Sequence, residues 1–297
     1  MAKPFVKWAG GKGKLLGVLE ANLPADLIAQ PSVTYIEPFV GGGAMLFNIL
    51  TTHSNVERVI INDINPALIN CYKNIKNKPD KLLQELRRFD KAFYALDCHE
   101  QRRSLYYAYR DEYNCIPVNA RNTIRSAALF IFFNKTCFNG LYRENNQGKF
   151  NVPFGRYVHP TICNEEVIYA VHKALQNVNI LCGDYNDTLR YVDWNEYNFF
   201  YLDPPYRPLL GSNNFKQYTM NSFDDPQQIE LKEFCDEINA LGGKFLLSNS
   251  DSEIEEGVNF FEKLYAEYNF QRIYAPRTIN AFVPGVEKST EVLIKNY

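Results

Sequence analysis

Residues 33–50 read VTYIEPFVGGGAMLFNIL, a β-branched and aromatic run that stops at three glycines before a second apolar run begins. Val, Ile, Thr and Tyr favour strands, whereas the run after the glycines has helical character. Glycine ends the strand because it tolerates the backbone conformations of a tight turn. This stretch therefore predicts a strand, a glycine turn and a helix in succession.

The same succession recurs along the chain. The run ERVIIND predicts a second strand that ends on Asp63, and a helix led by Pro66 follows it. Further strands, separated by helical patterns or turn residues, are predicted in NVNILCGD (177–184), YNFFYLDPP (197–205), GKFLLSNS (243–250) and STEVLIKN (289–296). Strands that alternate with helices predict a largely parallel α/β sheet.

The middle of the chain breaks this alternation. Residues 80–135 have a continuous helical pattern, and residues 137–157, CFNGLYRENNQGKFNVPFGRY, are typical of a turn-rich hairpin. A chain of 297 residues has room for a core and one extra module. We therefore expect an α/β core made of residues 1–75 and 165–297, with an inserted module at 76–164.

The composition is that of an ordinary globular protein, with 46% apolar and 22% charged residues. No segment approaches the roughly 18 apolar residues of a membrane span, and the N-terminus has no apolar signal region. Seven scattered cysteines without a C-x-x-C pair, and only four histidines, indicate reduced thiols and no metal site. We expect a cytoplasmic protein without a membrane partner.

The charge distribution is uneven. A net charge of −2 argues mildly against a nucleic-acid partner, because phosphate contacts need Lys and Arg. Residues 121–160, however, hold six basic residues against the single acid Glu144. The basic residues are Arg121, Arg125, Lys135, Arg143, Lys149 and Arg156. A basic segment in an acidic chain is a candidate contact with nucleic-acid phosphates.

Gly43 and Asp63 have the spacing of a nucleotide-binding turn. A glycine lets the backbone approach a ligand, and a carboxylate that ends the next strand about 20 residues later can hold ribose hydroxyls. Two alternatives remain open. The glycines can form a packing turn only, and Asp63 can be a helix N-cap, since Pro66 follows shortly after it.

The tetrapeptide DPPY, residues 203–206, follows an apolar strand at the sheet edge where α/β proteins bind ligands. The Asp203 carboxylate and the Pro204 carbonyl can both accept hydrogen bonds from an exocyclic amine, which directs its lone pair at an electrophile. Tyr206 offers a face on which a base can stack. The alternative is a rigid turn that exposes an aspartate.

The string KWAGGK, residues 7–12, places an indole, two glycines and two ammonium groups before a predicted helix. One interpretation is a lid in which Trp8 packs on a cofactor and Lys12 reaches its carboxylate. The other is a capped, solvated helix start.

These strings occur together and in one order: KWAGGK, EPFVGGG, IIND, the helical insert, FNGLYR, FNVPFGRY, GD, DPPY and LLSNS. In this the sequence resembles the Dam family of DNA adenine methyltransferases, including related methylases of restriction systems that modify GATC. The resemblance spans nearly the whole chain. It implies a Rossmann-like methyltransferase core with an inserted helical and β-hairpin target-recognition domain.

The resemblance implies S-adenosylmethionine as the cofactor, S-adenosylhomocysteine as the product and no metal. The residues at cofactor positions are Trp8, Lys12, Gly41, Gly42, Gly43, Asp63 and Asp203, with Asp184 and Tyr185 near the cofactor's adenine. The catalytic positions are Asp203, Pro204 and Tyr206. The expected reaction is direct methyl transfer to the N6 amine of a flipped-out adenine, without a covalent enzyme intermediate.

The resemblance also implies double-stranded DNA as the partner, with the hairpin in the major groove. The implied contacts are the wedge Phe138 and Asn139, the base-pair readers Leu141 and Arg143, Pro153 at a thymine methyl group, Lys7 at the first guanine and the phosphate contact Arg156. The alternatives are a hairpin core role for Phe138, a strand-edge role for Pro153 and solvation for Arg156. We expect a monomer in a bacterial or phage-infected cell, with a cognate restriction endonuclease as a candidate partner.

Other methyl transfers and a silent relative are the rivals. Methylation of the cytosine ring carbon needs a nucleophilic cysteine, usually after proline, and the chain has no Pro-Cys. Methylation of the cytosine amine, or of adenine in RNA, uses similar chemistry, and only the recognition module argues against it. A DNA-binding protein without activity is the rival from another class, and the intact DPPY argues against it.

Overall fold

The computed structural model describes residues 1–207, 223–255, 257–274 and 290–297. The α-helices in these residues are α1 (Leu16–Glu20), α2 (Ala44–Thr52), α3 (Pro66–Asn77), α4 (Pro79–Tyr94), α5 (His99–Cys115), α6 (Ile124–Thr136), α7 (Glu165–Ala174), α8 (Asp225–Ala240) and α9 (Phe260–Leu264). The strands are β1 (Val33–Glu37), β2 (Val56–Ile61), β3 (Val178–Ile180), β4 (Asn198–Leu202), β5 (Lys244–Ser250), β6 (Glu253–Glu255), β7 (Val258–Asn259), β8 (Asn269–Tyr274) and β9 (Thr290–Lys295). In the described part of the chain, no helix has both the length and the apolar character to cross a membrane.

Seven of these strands form one mostly parallel sheet in the order β3-β2-β1-β4-β5-β9-β8. β1 pairs in parallel with β4, and β4 pairs in parallel with β5, with Phe200 opposite Phe245. β9 runs antiparallel to both β5 and β8. Every residue of β1 and β4 is buried, as central parallel strands require. The largely parallel α/β sheet predicted from the sequence is confirmed.

The chain divides into two compact units. The first unit comprises Met1–Gly11, Val40–Thr52 and Ile61–Tyr185, and the second comprises Lys12–Phe39, His53–Ile60 and Asn186–Tyr297. The first unit contains helices α2 to α7. The second contains β1, β4, β5 and the C-terminal strands, so the DPPY segment belongs to it.

Helix α6 is the centre of the first unit, because almost all of its side chains are buried. Its Phe132 packs against Phe89 of α4 at 5.5 Å and against Tyr109 of α5 at 5.2 Å between ring centroids. The sequence pattern predicts continuous helix over residues 80–135, but α5 ends at Cys115 and α6 begins only at Ile124. The reason is Thr123, whose side chain accepts a hydrogen bond from the N–H of Ser126 and so caps the helix.

The predicted hairpin at 137–157 is an open one. It has two isolated antiparallel bridges, Cys137 with Phe154 and Glu144 with Phe150, in place of paired strands. Asn145 closes its tip, since its side-chain oxygen accepts from backbone N–H groups at both 147 and 149. A side chain thus supplies hydrogen bonds that a regular strand ladder would otherwise make.

Candidate active site and DNA-contact residues

The glycine turn after β1 packs closely on Trp8. A Cβ atom at Gly41 would lie only 2.7 Å from Trp8 Cδ1, and the residue's φ is +47°, so glycine is required there. The indole also lies near-parallel to Phe130 and to Tyr142, at interplanar angles of 27° and 19°. The turn is therefore a packed element of the first unit that brings Trp8 beside the glycines.

Asp63 lies just after β2 and is held by the same turn. Its Oδ2 accepts from the N–H of Gly41 at 3.0 Å, and its Oδ1 accepts from the N–H of Asn65 at 2.9 Å. Burial raises the pKa of Asp63, and these two N–H groups partly offset that effect. Asn65 caps helix α3, so the N-cap alternative for Asp63 is wrong. Carboxylate oxygens have further lone pairs, and Asp63 can still accept from a diol.

The segment that follows β3 lies beside Asp63. The Asn62 side chain donates to the Gly183 carbonyl at 3.0 Å, and the Gly183 N–H donates to the Asp63 carbonyl at 3.3 Å. Of the next two residues, Asp184 is exposed and Tyr185 is buried. The two residues predicted to lie near the cofactor's adenine thus directly follow a residue that is hydrogen-bonded to Asp63.

Asp203 follows β4 in the second unit, and Lys12 is its ion-pair partner. Lys12 Nζ lies 2.8 Å from Asp203 Oδ1, and the Ser248 hydroxyl donates to the same oxygen at 3.1 Å. Lys12 is only 4% exposed, so the solvated helix start considered for it is wrong. Burial raises the pKa of Asp203, while the Lys12 ammonium and the Ser248 hydroxyl lower it. Both donors use Oδ1, so the contacts of the described residues leave Oδ2 to accept from a ligand.

Tyr206 adds an aromatic face to this carboxylate. The Lys12 ammonium lies 4.4 Å from the Tyr206 ring centroid, and the Tyr206 hydroxyl donates to Glu291 Oε2 at 2.7 Å. Burial, reinforced by the neighbouring Asp203 and Glu291 carboxylates, raises the pKa of Tyr206 well above its usual value, so its hydroxyl stays neutral. The Lys12 ammonium thus shows that a nitrogen donor can contact both the Asp203 carboxylate and the Tyr206 ring.

Ser248 was not predicted as a site residue, although it lies within LLSNS. A signal was present, because LLSNS ends an apolar strand with polar residues. The carboxyl ends of neighbouring parallel strands meet at one sheet edge, where ligands bind. Because β5 pairs in parallel with β4, that edge is also the position of Asp203.

The predicted DNA-contact residues are exposed in the first unit. The described surface exposes Lys7, Phe138, Asn139, Leu141, Arg143, Pro153 and Arg156. Phe138 is 51% exposed, which excludes the hairpin core role considered for it. Lys7 is distant in sequence but is held near the other residues by Asn134 of α6. The Asn134 side chain accepts from the Lys7 N–H at 2.8 Å and donates to the Lys7 carbonyl at 2.7 Å.

Three of the six basic residues in segment 121–160 are at least partly buried or paired with acids in the fold, so they contribute little positive charge to the surface. Arg121 is buried against Glu144 at 2.8 Å. Arg125 pairs with Glu85 and Glu112. Burial lowers the pKa of Lys135 to about 8. The basic residues of this segment that remain exposed as candidate phosphate contacts are Arg143, Lys149 and Arg156.

The chain is similar over most of its length to known DNA adenine methyltransferases. Residues 8–279 match the family described as D12 class N6 adenine-specific DNA methyltransferase. The chain is 45% identical to type II methyltransferase M.MjaIII of Methanocaldococcus jannaschii over 99% of both proteins. It is 35% identical to the DNA adenine methylase of Escherichia coli K12, over 84% of this chain and 81% of that protein. It is 33% identical to the DNA adenine methylase of Haemophilus influenzae, over 94% and 88% respectively.

Proposed function

Because this chain belongs to the D12 class of N6 adenine-specific DNA methyltransferases, we propose that it methylates the adenine of GATC in duplex DNA after flipping that base out. Membership makes it an enzyme that uses S-adenosylmethionine and acts on adenine in DNA. The GATC target, base flipping and the residue roles are our proposal.

The observation that carries the chemistry is the Lys12 ammonium between Asp203 and Tyr206. It supports a site for a nitrogen donor bounded by a carboxylate and a ring, and an adenine amine has the same needs. We assign Asp203 Oδ2 and the Pro204 carbonyl as acceptors for the two amine hydrogens. The ring of Tyr206 holds the base plane.

The residues present fit the cofactor. The turn of Gly41, Gly42 and Gly43 is closely packed on Trp8 and Tyr72, and the Asp63 carboxylate, which accepts from the Gly41 N–H, has further lone pairs that can accept from a ribose diol. We assign these residues, with Trp8, to hold S-adenosylmethionine, and Asp184 and Tyr185 to lie near its adenine. When bound, S-adenosylmethionine supplies an electrophilic methyl group.

The amine nitrogen forms the new N–C bond as the S–C bond of the cofactor breaks. Asp203 acts as a hydrogen-bond acceptor that keeps the nitrogen lone pair directed at the methyl carbon, and the amine proton leaves to water. Charge that develops on the nitrogen is stabilised by the Asp203 carboxylate.

Base flipping follows from the position of the target atom. The amine of a paired and stacked adenine cannot enter an enclosed active-site pocket, so the enzyme must extrude the base at a cost of a few kcal/mol. The half-exposed Phe138 is suited to fill the vacated place as an aromatic wedge. Asn139 beside it has a φ of 56°, in the left-handed region that such an exposed turn can hold.

We also propose the domain division of residues 1–75 and 165–297 as the catalytic core and 76–164 as the target-recognition module. GATC as the target rests on FNGLYR and FNVPFGRY, the strings that carry the family resemblance in this module. The name of the archaeal relative, a type II methyltransferase, supports a restriction-modification role with a cognate endonuclease. We propose that the chain acts as a monomer in the cytoplasm.

The direct test is to treat unmethylated plasmid DNA with the protein and S-adenosylmethionine, and to map N6-methyladenine at single-base resolution. We expect the modification at GATC adenines of both strands. Modification confined to adenines in another sequence would contradict the GATC proposal alone. Failure to modify any adenine would contradict the assigned chemistry.

Arg143 separates base reading from general attraction to phosphate. Its Nε donates to Asn151 Oδ1 at 2.7 Å, which fixes one edge of an exposed guanidinium. Bidentate arginine contacts to guanine discriminate by about 1–3 kcal/mol. We therefore expect Arg143→Ala to raise the ratio of near-cognate to GATC methylation several-fold, measured on duplexes that differ at one outer base pair.

Arg156→Ala is the matched control for this experiment. A phosphate contact supplies affinity to any duplex, so its loss lowers rates on all sites together and reduces the salt dependence of binding by about one unit of slope. If both variants lose activity equally and keep the same ranking of sites, Arg143 is also a phosphate contact.

A further inference from the structure

The DPPY segment is held on both sides of Tyr206 by two amide side chains. Gln228 of α8 donates from Nε2 to the Pro205 carbonyl at 3.1 Å. The Arg207 N–H donates to Asn249 Oδ1 of β5 at 3.4 Å. The two amides are joined, since Asn249 Nδ2 donates to Gln228 Oε1 at 3.1 Å. A continuous chain of hydrogen bonds therefore runs from the backbone before Tyr206 to the backbone after it.

Both amides are fully buried, with 0% exposure. An amide in such a place is costly unless its donor and acceptor are both satisfied, and here each amide uses both. A leucine or methionine would fill a buried position between α8 and β5 without that requirement. The amides therefore supply something beyond packing, namely fixed partners for two backbone groups that no helix or strand satisfies.

The backbone after Tyr206 is anchored further by its neighbour. The Arg207 carbonyl accepts from the Ser250 hydroxyl at 2.7 Å, and the Arg207 guanidinium forms two hydrogen bonds with Asp225 at the start of α8. The ends of the segment are thus tied to α8 and β5. The Tyr206 ring is held separately, by the hydrogen bond of its hydroxyl to Glu291 and by the Lys12 ammonium over its face.

We propose that Gln228 and Asn249 are positioning residues that set the placement of the Tyr206 ring for the acceptor base. This proposal rests on the proposed function, in which Tyr206 stacks on adenine. A displacement of about 1 Å in a group that aligns reactants can lower a rate on the order of 100-fold. The amide pair acts through the backbone, so it affects the alignment of the base and leaves the affinity for cofactor and duplex unchanged.

The test uses Gln228→Met and Asn249→Leu in the full chain, alone and combined. We expect each single variant to lower kcat on the order of 100-fold, with an unchanged KM for DNA and an unchanged affinity for S-adenosylmethionine. Because the two amides form one chain, the double variant should be little worse than either single one. With 2-aminopurine in place of the target adenine, the variants should flip the base but show fluorescence that differs from that of the wild-type complex.

Phe234→Leu is the control for stability alone. Phe234 is buried in the same helix and packs on Phe200 at 6.2 Å, so its truncation lowers the melting temperature without touching the amide pair. If Gln228→Met and Asn249→Leu lower kcat no more than this control does at equal loss of stability, the proposal is overturned. If the wild-type protein methylates no adenine, the proposed function fails instead.

Gln228→Glu keeps the test decisive where an apolar variant does not fold. Its carboxyl group retains the acceptor for Asn249 but can donate to the Pro205 carbonyl only when protonated. We expect its kcat relative to wild type to fall as the pH rises. A ratio that is constant with pH would overturn the proposal.

Discussion

Asp203→Ala is expected to lower kcat on the order of 1000-fold, because in the mechanism we propose it removes the acceptor that directs the amine lone pair at the methyl group. Binding of duplex DNA should survive, since the candidate DNA contacts are exposed residues elsewhere in the chain, such as Phe138 and Arg143. Single-turnover methylation of a mapped site, together with a gel-shift assay on the same duplex, measures the two properties separately.

Ser248→Ala provides the graded comparison for this result. It removes one of the two donors to Asp203 Oδ1 but keeps the carboxylate and its ion pair with Lys12. A smaller fall in kcat is expected, at unchanged affinity for DNA. If Asp203→Ala loses folding and DNA binding together with activity, Asp203 is a structural turn residue and the catalytic assignment is wrong.

The sequence predicted those features that depend on neighbouring residues. The strand, glycine turn and helix at 33–50 are confirmed because their signals are local periodicity and glycine. Asp203 was expected at a ligand-binding edge because it follows an apolar strand, and β4 does end at Leu202. The pairing within a predicted element could be predicted less well. The hairpin at 137–157 was recognised, but its bridges in place of strands were not.

Features that depend on distant partners could not be predicted. Lys12 and Asp203 are far apart in the sequence, and no local pattern reveals that an ammonium group near the N-terminus pairs with the DPPY carboxylate. The ion pair of Arg125 with Glu112 could not be predicted for the same reason. A count of charges along the chain therefore overestimated the positive charge of the surface. Gln228 has no signal at all, because a single glutamine in an amphipathic helix is ordinarily solvated.

Lys12→Met is expected to lower activity most at low pH, with part of the loss recovered as the pH rises. In the mechanism we propose, activity requires an ionised Asp203, so it is lost as the pH falls through the pKa of that group. Burial already raises this pKa, and the Lys12 ammonium is the largest influence that lowers it. Without Lys12 the pKa rises further, and the acid limb of the pH–kcat profile moves to higher pH. Lys12→Arg keeps the positive charge and should leave the limb near its wild-type position.

Stability gives an independent check on the same ion pair. A carboxylate whose folded pKa is raised binds more protons in the folded state than in the unfolded one, so the free energy of unfolding falls as the pH rises between the two pKa values. Lys12→Met should therefore be most destabilised at high pH, by up to about 3 kcal/mol, and approach wild type in acid. Thermal melts across this pH range measure the difference. If Lys12 serves only the cofactor carboxylate, the variant will instead bind S-adenosylmethionine more weakly at every pH, with neither the kinetic limb nor the stability difference shifted.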